Sequence, residues 1–359
     1  MAESAAFHDK NFDIDHHIGE PDVAFYDVRN DPFTLYGFYH PKTEPTFKRL
    51  PDAVRNAVSP DVAGLSLHCS GGRVRFSTDS KYVAIKSVMP YIYRAPHMPL
   101  TGAAGFDLYE DSPAGASWFR GNFKPDYDMK DGYESKICFP DRKLRYFTID
   151  FPSYSAVSAL YIGLQKDAVV GAGMPYRKEK PIVFYGSSIT QGACSSRPGL
   201  YYQNRIAHRM NLDYLSLGFS GNAKGEDAIC AYMSELPMSV FVSDYDHNAP
   251  DAEYLAKTHE KLYRTVRAKN PDLPYIMMSR PDFYYNSDCI HRRNVVYHTF
   301  YQAYSEGDRN VYYLDGQMLF EGPDADSCTV DGCHPNDLGF KYMAEAVEST
   351  LRRILMQTH

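Results

Sequence analysis

The chain has 359 residues, of which 44% are hydrophobic and 23% charged, the proportions of a globular protein. This length suggests two domains rather than one. The formal net charge of −7, without a basic stripe or an arginine-rich tail, argues against a nucleic-acid partner. No stretch approaches the roughly 20 apolar residues of a membrane span.

The cysteines and the first residues indicate a cellular compartment. The seven cysteines are scattered and form no C-x-x-C pair, so their spacing favours free thiols over a disulfide framework or a zinc knuckle. Residues 1–10 have neither the basic start nor the apolar stretch of a signal peptide. Both features predict a cytoplasmic protein.

Residues 22–167 have the pattern of an antiparallel β-domain. Alternating side chains predict strands at 73–78, 82–88, 144–151 and 158–164, after a short helix at 51–58. Short strands without helical periodicity predict an antiparallel sandwich of the jelly-roll type. The 30 tyrosines fit either sugar-binding surfaces or ordinary strands, and we favour strands. The single tryptophan, Trp118, is expected in the sandwich core rather than against a sugar ring.

The second half of the chain has a different pattern. Residues 168–180, with several Gly and Pro, are predicted to link a domain of residues 1–175 to one of residues 181–359. Apolar strand-like runs then alternate with helical segments. The runs cover 182–185, 214–217, 240–243, 275–278 and 311–314, and the helical segments cover 201–210, 225–236, 252–269, 290–305 and 338–356. This alternation predicts an α/β fold, with a parallel five-stranded sheet covered by helices on both faces.

Several polar positions follow the predicted strands. Ser188, Gly221 and Asn248 each come a few residues after a strand, and His334 precedes the last helix. In parallel sheets the site lies at the carboxyl ends of the strands, so these residues are expected at one edge. A Ser in a strand–turn and a late Asp331-x-x-His334 are the arrangement of a serine hydrolase, in which His takes the Ser proton and Asp orients the His.

Four blocks of sequence, in this order, resemble the SGNH (GDSL-type) hydrolases. They are Gly186-Ser187-Ser188-Ile189-Thr190, Leu217-Gly218-Phe219-Ser220-Gly221-Asn222-Ala223, Ser243-Asp244-Tyr245-Asp246-His247-Asn248 and Asp331-Gly332-Cys333-His334-Pro335-Asn336. In the first half, Gly105-Phe106-Asp107-Leu108-Tyr109 matches the Gly-x-Asp-Leu-Tyr signature of a β-sandwich domain that precedes one branch of these enzymes. The resemblance implies a flavodoxin-like catalytic sheet behind a sandwich whose signature segment is structural.

The resemblance also implies a role for each site residue. Ser188 is the nucleophile, His334 the general base and Asp331 the group that orients His334. The backbone N–H groups of Ser188 and Gly221, with the side-chain amide of Asn248, form the oxyanion hole. No metal or other cofactor is expected, since none of these roles requires one.

Some positions leave more than one interpretation open. His247 is a second base, a substrate contact or, as we favour, a histidine that fills a loop. Arg280 and Asp282 either line the substrate pocket or brace a loop as an ion pair. Ser187 stands where the family usually has Asp, which predicts altered hydrogen bonds in the loop rather than lost chemistry. Asp246-His247-Asn248 also departs from the more common Gly-x-Asn-Asp, which puts the neighbours of the oxyanion hole in question.

Carbohydrate esterases also combine a sandwich with this catalytic fold, so the resemblance favours an O-acetylesterase that acts on acetylated oligosaccharides. A lipase or thioesterase and a non-catalytic glycan-binding protein are the alternatives. Short side chains around the nucleophile, at Gly186, Ser187 and Gly221, predict a small acyl pocket. The sequence leaves the oligomeric state open.

Overall fold

The protein is described by a computed structural model that covers residues 17–281 and 288–357. Its amino-terminal half is built from two antiparallel sheets. The strands are β1 (Val23–Asp27), β2 (Thr34–Tyr36), β3 (Arg73–Thr78), β4 (Tyr82–Val88), β5 (Phe106–Asp111), β6 (Ser117–Phe123), β7 (Glu134–Cys138), β8 (Arg145–Asp150), β9 (Ala159–Gln165) and β10 (Val170–Ala172), and the helices are α1 (Asp52–Val58), α2 (Pro60–Leu65) and α3 (Leu100–Ala103). One sheet has the order β1-β9-β4-β7 and the other β10-β3-β8-β5-β6, with β2 paired to β3.

The core of this half lies between the two sheets. Alternate residues of β3 and β8, such as Val74 and Phe147, are fully buried there with Val83 of β4. The predicted antiparallel sandwich is confirmed. One finer prediction is wrong, because Trp118 on β6 is 53% exposed rather than in the core. Part of the segment predicted as a linker forms β10, which pairs with β3.

The carboxyl-terminal half is a parallel α/β structure. Its strands are β11 (Ile182–Gly186), β12 (Tyr214–Gly218), β13 (Val240–Asp244), β14 (Tyr275–Met278) and β15 (Val311–Leu314), and its helices are α4 (Ser188–Gln191), α5 (Tyr202–Met210), α6 (Asp227–Ser234), α7 (Ala252–Lys269), α8 (Cys289–Ser305) and α9 (Asp337–Gln357). The strand order β12-β11-β13-β14-β15, with every pair parallel, is that of flavodoxin-like sheets, as predicted.

Helices cover both faces of the parallel sheet because its strands are apolar on both sides. In β11, Val183 and Tyr185 pack into the cluster that contains α6, α7 and α8. Ile182 and Phe184 point the other way, into the cluster that contains α5 and α9. Within the described ranges, no helix has the length and apolar character needed to cross a bilayer.

The two halves share a buried polar interface. On β3, Val74 faces the sandwich core, whereas Arg73 and Arg75 point to the opposite side and are almost completely buried against the second half. Arg73 donates to the carboxylate of Asp213 and, at 2.9 Å, to the Tyr214 carbonyl. Around β3, the outer face of this sheet is therefore covered by protein rather than by water.

Candidate active site

The turn between β11 and α4 fixes the position of Ser188. Gly186 ends the strand, and a Cβ at this position would lie 2.0 Å from Thr190 Oγ1, so only glycine fits. Ser187 caps α4, because its Oγ accepts a hydrogen bond from the Ile189 N–H at 3.1 Å. In this protein Ser187 thus fills the family's Asp position as a helix cap.

Ser188, His334 and Asp331 form a continuous hydrogen-bonded chain. Ser188 Oγ lies 2.9 Å from His334 Nε2, and His334 Nδ1 lies 2.7 Å from Asp331 Oδ2. Asp331 Oδ1 also accepts from the backbone N–H groups of His334, at 2.8 Å, and Cys333, at 3.1 Å. The Ser188 residue is 7% exposed, whereas the His334 and Asp331 side chains are 22% and 36% exposed. Ser188 is thus shielded from solvent, whereas Asp331, at the other end of the hydrogen-bonded chain, is close to it.

The carboxylate of Asp331 determines which ring nitrogen of His334 is protonated. Burial acts to raise the pKa of Asp331, but hydrogen bonds from His334 and Cys333 outweigh it, and the pKa lies below its ordinary value of 3.8. An ionised Asp331 accepts the Nδ1–H, which leaves the lone pair of Nε2 directed at the Ser188 hydroxyl. This arrangement is able to remove the hydroxyl proton when Ser188 attacks.

The residues predicted for the oxyanion hole are linked to one another. Gly221 follows β12 with φ +70°, a conformation that favours glycine. The Asn248 Oδ1 accepts from the Ala223 N–H at 3.2 Å, two residues beyond Gly221. Because the amide oxygen is used in this way, the amide N–H groups of Asn248 are the side that is able to donate to a substrate oxygen.

A side chain of the sandwich reaches the same loop through Gln191, the last residue of α4. The Ser220 N–H donates to Gln191 Oε1 at 3.0 Å, and Gln191 Nε2 lies 3.0 Å from His68 Nδ1. The amide must therefore donate to His68, and burial lowers the pKa of His68 to about 3, so its ring is a neutral acceptor. His68 thus helps to position Ser220 and the adjacent Gly221.

Arg49 is a second residue of the sandwich that holds this region. Its buried guanidinium donates to the Ser216 carbonyl at 2.9 Å and the Gly218 carbonyl at 2.7 Å, at the carboxyl end of β12. Burial lowers the pKa of Arg49 to about 10, which leaves it charged at neutral pH. Sequence reasoning missed both His68 and Arg49, since nothing near them in the sequence indicates partners more than 100 residues away.

The Gly-x-Asp-Leu-Tyr segment contacts the loop that follows α4. Asp107 Oδ2 accepts from Arg197 Nη1 at 2.7 Å and from the Gly199 N–H at 2.8 Å. Arg197 also donates to the Tyr109 hydroxyl at 2.8 Å. Burial raises the pKa of Asp107, while Arg197 lowers it. The signature residues Asp107 and Tyr109 thus hold the loop at Arg197 and Gly199, which fits the expected structural role.

The residues predicted to contact substrate have different positions. His247 is partly buried, with Nδ1 3.9 Å from Cys333 Sγ, beside the loop that carries His334. Arg280 is buried, and its backbone N–H donates to Asp246 Oδ2 at 3.0 Å. Asp282 lies outside the described residues. Neither Arg280 nor His247 is on an open surface.

The predicted small acyl pocket stays a prediction. Of the three short residues behind it, Gly186 and Ser187 are buried and Gly221 is exposed. Groups of the sandwich lie closer to the site than expected: the Tyr154 hydroxyl donates to the Ser188 carbonyl at 3.3 Å, and the rings of His97 and His334 are 5.9 Å apart. The walls around Ser188 therefore come from both halves of the chain.

Arg292 on α8 is another residue that sequence reasoning did not identify. Its Nη1 donates to the carbonyls of Asp246, at 2.6 Å, and Ala249, at 2.7 Å. These carbonyls bracket Asn248, so Arg292 fixes the loop that presents the amide. The pattern of α8 carries no sign of this role, because a helical arginine normally faces water.

Models of two families match the chain. The model of the GDSL-like lipase/acylhydrolase family matches residues 179–352, and the model of the amino-terminal domain of SGNH-type esterases, named GxDLY, matches residues 23–170. A search of curated proteins gave no match.

Several solved structures have a similar fold. A candidate GDSL-like lipase from Bacteroides ovatus ATCC 8483 is 26% identical, with a TM-score of 0.83 over 93% of this chain and 98% of its own. A salicylyl-acyltransferase from a tetracycline biosynthetic pathway is 18% identical, with a TM-score of 0.71 over 93% of this chain and 98% of its own. A family two carbohydrate esterase from Clostridium thermocellum, in complex with cellohexaose, is 16% identical, with a TM-score of 0.56 over 80% of this chain and 94% of its own. The last two share the fold alone. The chain belongs to the GDSL-type (SGNH) hydrolases and is an esterase with a GxDLY-type sandwich ahead of its catalytic half.

Proposed function

We propose that this esterase removes acetyl groups from oligosaccharides by a Ser188–His334–Asp331 mechanism. The observation that carries the mechanism is the hydrogen-bonded chain from Ser188 Oγ to His334 Nε2, at 2.9 Å, and from His334 Nδ1 to Asp331, at 2.7 Å. Such a chain supplies a nucleophile, a base and an orienting carboxylate in the order that acyl transfer requires.

In this mechanism Ser188 Oγ attacks the ester carbonyl while its proton passes to His334 Nε2. Asp331 stabilises the resulting imidazolium without taking the proton. The negative oxygen of the tetrahedral intermediate accepts hydrogen bonds from the N–H groups of Ser188, Gly221 and Asn248. His334 then protonates the leaving sugar hydroxyl, and a water molecule, activated in the same way, releases acetate and restores Ser188.

A sugar substrate is supported by an exposed aromatic ring near the site. Tyr91 is largely exposed and stacks on His68, with ring centroids 5.4 Å apart and planes 9° apart. His68 in turn bonds to Gln191 of the nucleophile helix. An aromatic face with an apolar body and a polar tip suits the apolar face of a sugar ring. The structure of a carbohydrate esterase with cellohexaose shares the fold.

The compartment is part of the proposal. The seven cysteines form no disulfide with one another, which suits a reducing compartment. In the cytoplasm the substrates would be imported oligosaccharides rather than intact polymer.

The test compares kcat/KM on acetyl, butyryl and octanoyl esters of one alcohol, with Ser188→Ala as the control for contaminating esterases. We expect the acetyl ester to be cleaved best. A preference for octanoyl would overturn the acetylesterase proposal in favour of a lipase or thioesterase. A panel of acetylated oligosaccharides, followed by mass spectrometry for the loss of acetyl groups, then tests the sugar part. Cleavage of simple acetyl esters without any cleavage in the panel would reject the carbohydrate substrate.

A further inference from the structure

Three potential metal ligands meet beside the catalytic histidine. One ligand atom from each of His97, Cys194 and His334 lies within 4.8 Å of the other two. His97 comes from the segment before α3 in the sandwich, Cys194 follows α4, and His334 belongs to the loop before α9. The three residues are far apart in sequence, so no spacing pattern of the kind used to recognise zinc sites connects them.

We propose that this cluster binds a thiophilic divalent cation such as Zn²⁺ or Cd²⁺, and that the bound cation inhibits the esterase. The inhibitory part rests on the proposed role of His334, and the binding part does not. Imidazole nitrogen and thiolate sulfur are both donors that zinc takes, and three protein ligands with solvent as the fourth are the arrangement of an open zinc site.

The geometry is close to what such an ion needs. Ligand atoms around a tetrahedral zinc, with bonds of about 2.0–2.3 Å, are roughly 3.3–3.8 Å apart. The separation of up to 4.8 Å must therefore shrink by about 1 Å. Cys194 is only 3% exposed and has a left-handed backbone conformation, φ +66°, that a non-glycine residue seldom adopts, so its surroundings leave it little room to move. His97 is only half-buried, so its ring has the freedom to close the distance.

Inhibition follows from the bonding of His334. Both of its ring nitrogens are already used, Nε2 by Ser188 and Nδ1 by Asp331. A cation on either nitrogen must therefore displace one of the two contacts that the mechanism needs. Binding also replaces the Cys194 thiol proton, which leaves to solvent as the sulfur–metal bond forms. Burial raises the pKa of the Cys194 thiol to about 12, so without a metal the sulfur is protonated at neutral pH and is a poor nucleophile.

The binding test uses Cd²⁺ and does not depend on catalysis. Metal-free protein is titrated with Cd²⁺ while the cadmium–thiolate charge-transfer absorption is recorded. We expect one Cd²⁺ per chain, with the band lost in Cys194→Ser and the affinity at least about tenfold weaker in His97→Asn. Ser188→Ala should keep the band. The matched controls are Cys138→Ser, an exposed thiol, and His291→Asn, an exposed histidine. A band that survives Cys194→Ser and disappears in Cys333→Ser would overturn this site.

The inhibition test uses Zn²⁺ with p-nitrophenyl acetate and follows reversal by EDTA. The zinc concentration for half-inhibition, with each protein measured relative to its own activity without metal, should rise at least about tenfold in His97→Asn and Cys194→Ser. Mg²⁺ and Ca²⁺, which prefer oxygen ligands, should not inhibit. Equal zinc sensitivity of the wild type and both variants would reject the proposal. If no ester is hydrolysed at all, the esterase mechanism fails while the cadmium titration still decides on the metal site.

Discussion

The hydrogen-bonded chain of side chains from Ser188 through His334 to Asp331 and the interface between the two halves are both polar. They differ in their exposure to water. The hydrogen-bonded chain ends at Asp331, whose side chain is 36% exposed. Across the interface, Arg73, Asp107 and Asp150 are completely buried. The hydrogen-bonded chain forms within one half. The interface groups join the sandwich to several parts of the other half: Arg73 pairs with Asp213 before β12, Asp150 contacts His208 on α5, and Asp107 pairs with Arg197 after α4. The difference fits two tasks: the first set of groups is proposed to carry out chemistry, and the second holds the two halves together.

The clearest test of this division is Ser188→Ala. We expect kcat/KM for an acetyl ester to fall by at least about 10⁴-fold with unchanged thermal stability, because the hydroxyl contributes a reaction step rather than packing. His334→Ala should behave in the same way. Steady-state kinetics measure the loss of kcat/KM, and a melting curve on the same preparation measures the thermal stability. Hydrolysis at the wild-type rate in Ser188→Ala would reject the mechanism.

Substitution of Asp331, at the exposed end of the hydrogen-bonded chain, should lower activity less than substitution of His334. Asp331→Ala is expected to retain roughly 100-fold more activity than His334→Ala, because Asp331 orients the imidazole without transferring a proton. The comparison is made on kcat with one acetyl ester. An Asp331→Ala enzyme with full activity would show that this carboxylate only caps its loop, and one as inactive as His334→Ala would make the triad strict.

Asn248→Ala tests the oxyanion side of the site. The loss of one donor to the tetrahedral oxygen should lower kcat by about 10²–10³-fold with a smaller effect on KM. Asn294→Ala, an exposed asparagine on α8, is the matched control and should have normal kinetics. If Asn248→Ala raised KM alone, the amide would bind substrate rather than stabilise the transition state.

His68→Phe probes the connection between the halves. The ring stacking on Tyr91 is kept, but Gln191 loses its acceptor, so the Ser220–Gly221 loop is held less firmly. We expect kcat to fall about tenfold and the free energy of unfolding to fall by about 1–3 kcal/mol. His68→Asn, which restores an acceptor, should recover most of the kcat. A loss of stability with unchanged kcat in His68→Phe would limit His68 to a packing role.

Asp107→Asn should have the smallest effect on kcat and a large effect on stability. The Arg197 side chain is 20% exposed, and its guanidinium would lose the Asp107 carboxylate as its ion-pair partner. Breaking a buried ion pair on one side costs on the order of 3 kcal/mol. Denaturant unfolding measures this, with the exposed Asp128→Asn as the control. Unchanged stability in Asp107→Asn would contradict the importance of the pair.

Local patterns predicted most of the regular structure. Strands β3, β4, β14 and β15 and helix α7 have the predicted bounds, because alternation, apolar runs and helical periodicity are properties of neighbouring residues. The spatial approach of Ser188, His334 and Asp331 was also expected from strand order, and their catalytic roles stay predictions. The predicted division at residues 175 and 181 stays a prediction as well.

The interface could not be predicted, for a physical reason. Arg73 and Arg75 alternate with apolar residues along β3, which is the pattern of a strand with one face in water. The same pattern results when that face meets a second polar surface of the protein. Trp118 was misplaced for the converse reason, because an apolar side chain does not reveal which side of a sheet is covered. His97 and Cys194 came together only through the folding of both halves.

The polar character of the interface has a consequence for biosynthesis. The sandwich leaves the ribosome before β12 and the other segments that pack on its outer face. That face is therefore exposed to water while the rest of the protein is synthesised. An apolar face in that position would favour aggregation. A face that contains Arg73, Arg75 and Asp107 is instead well solvated during this interval. It is desolvated only when the catalytic half packs against it and supplies carbonyls and charged groups as partners.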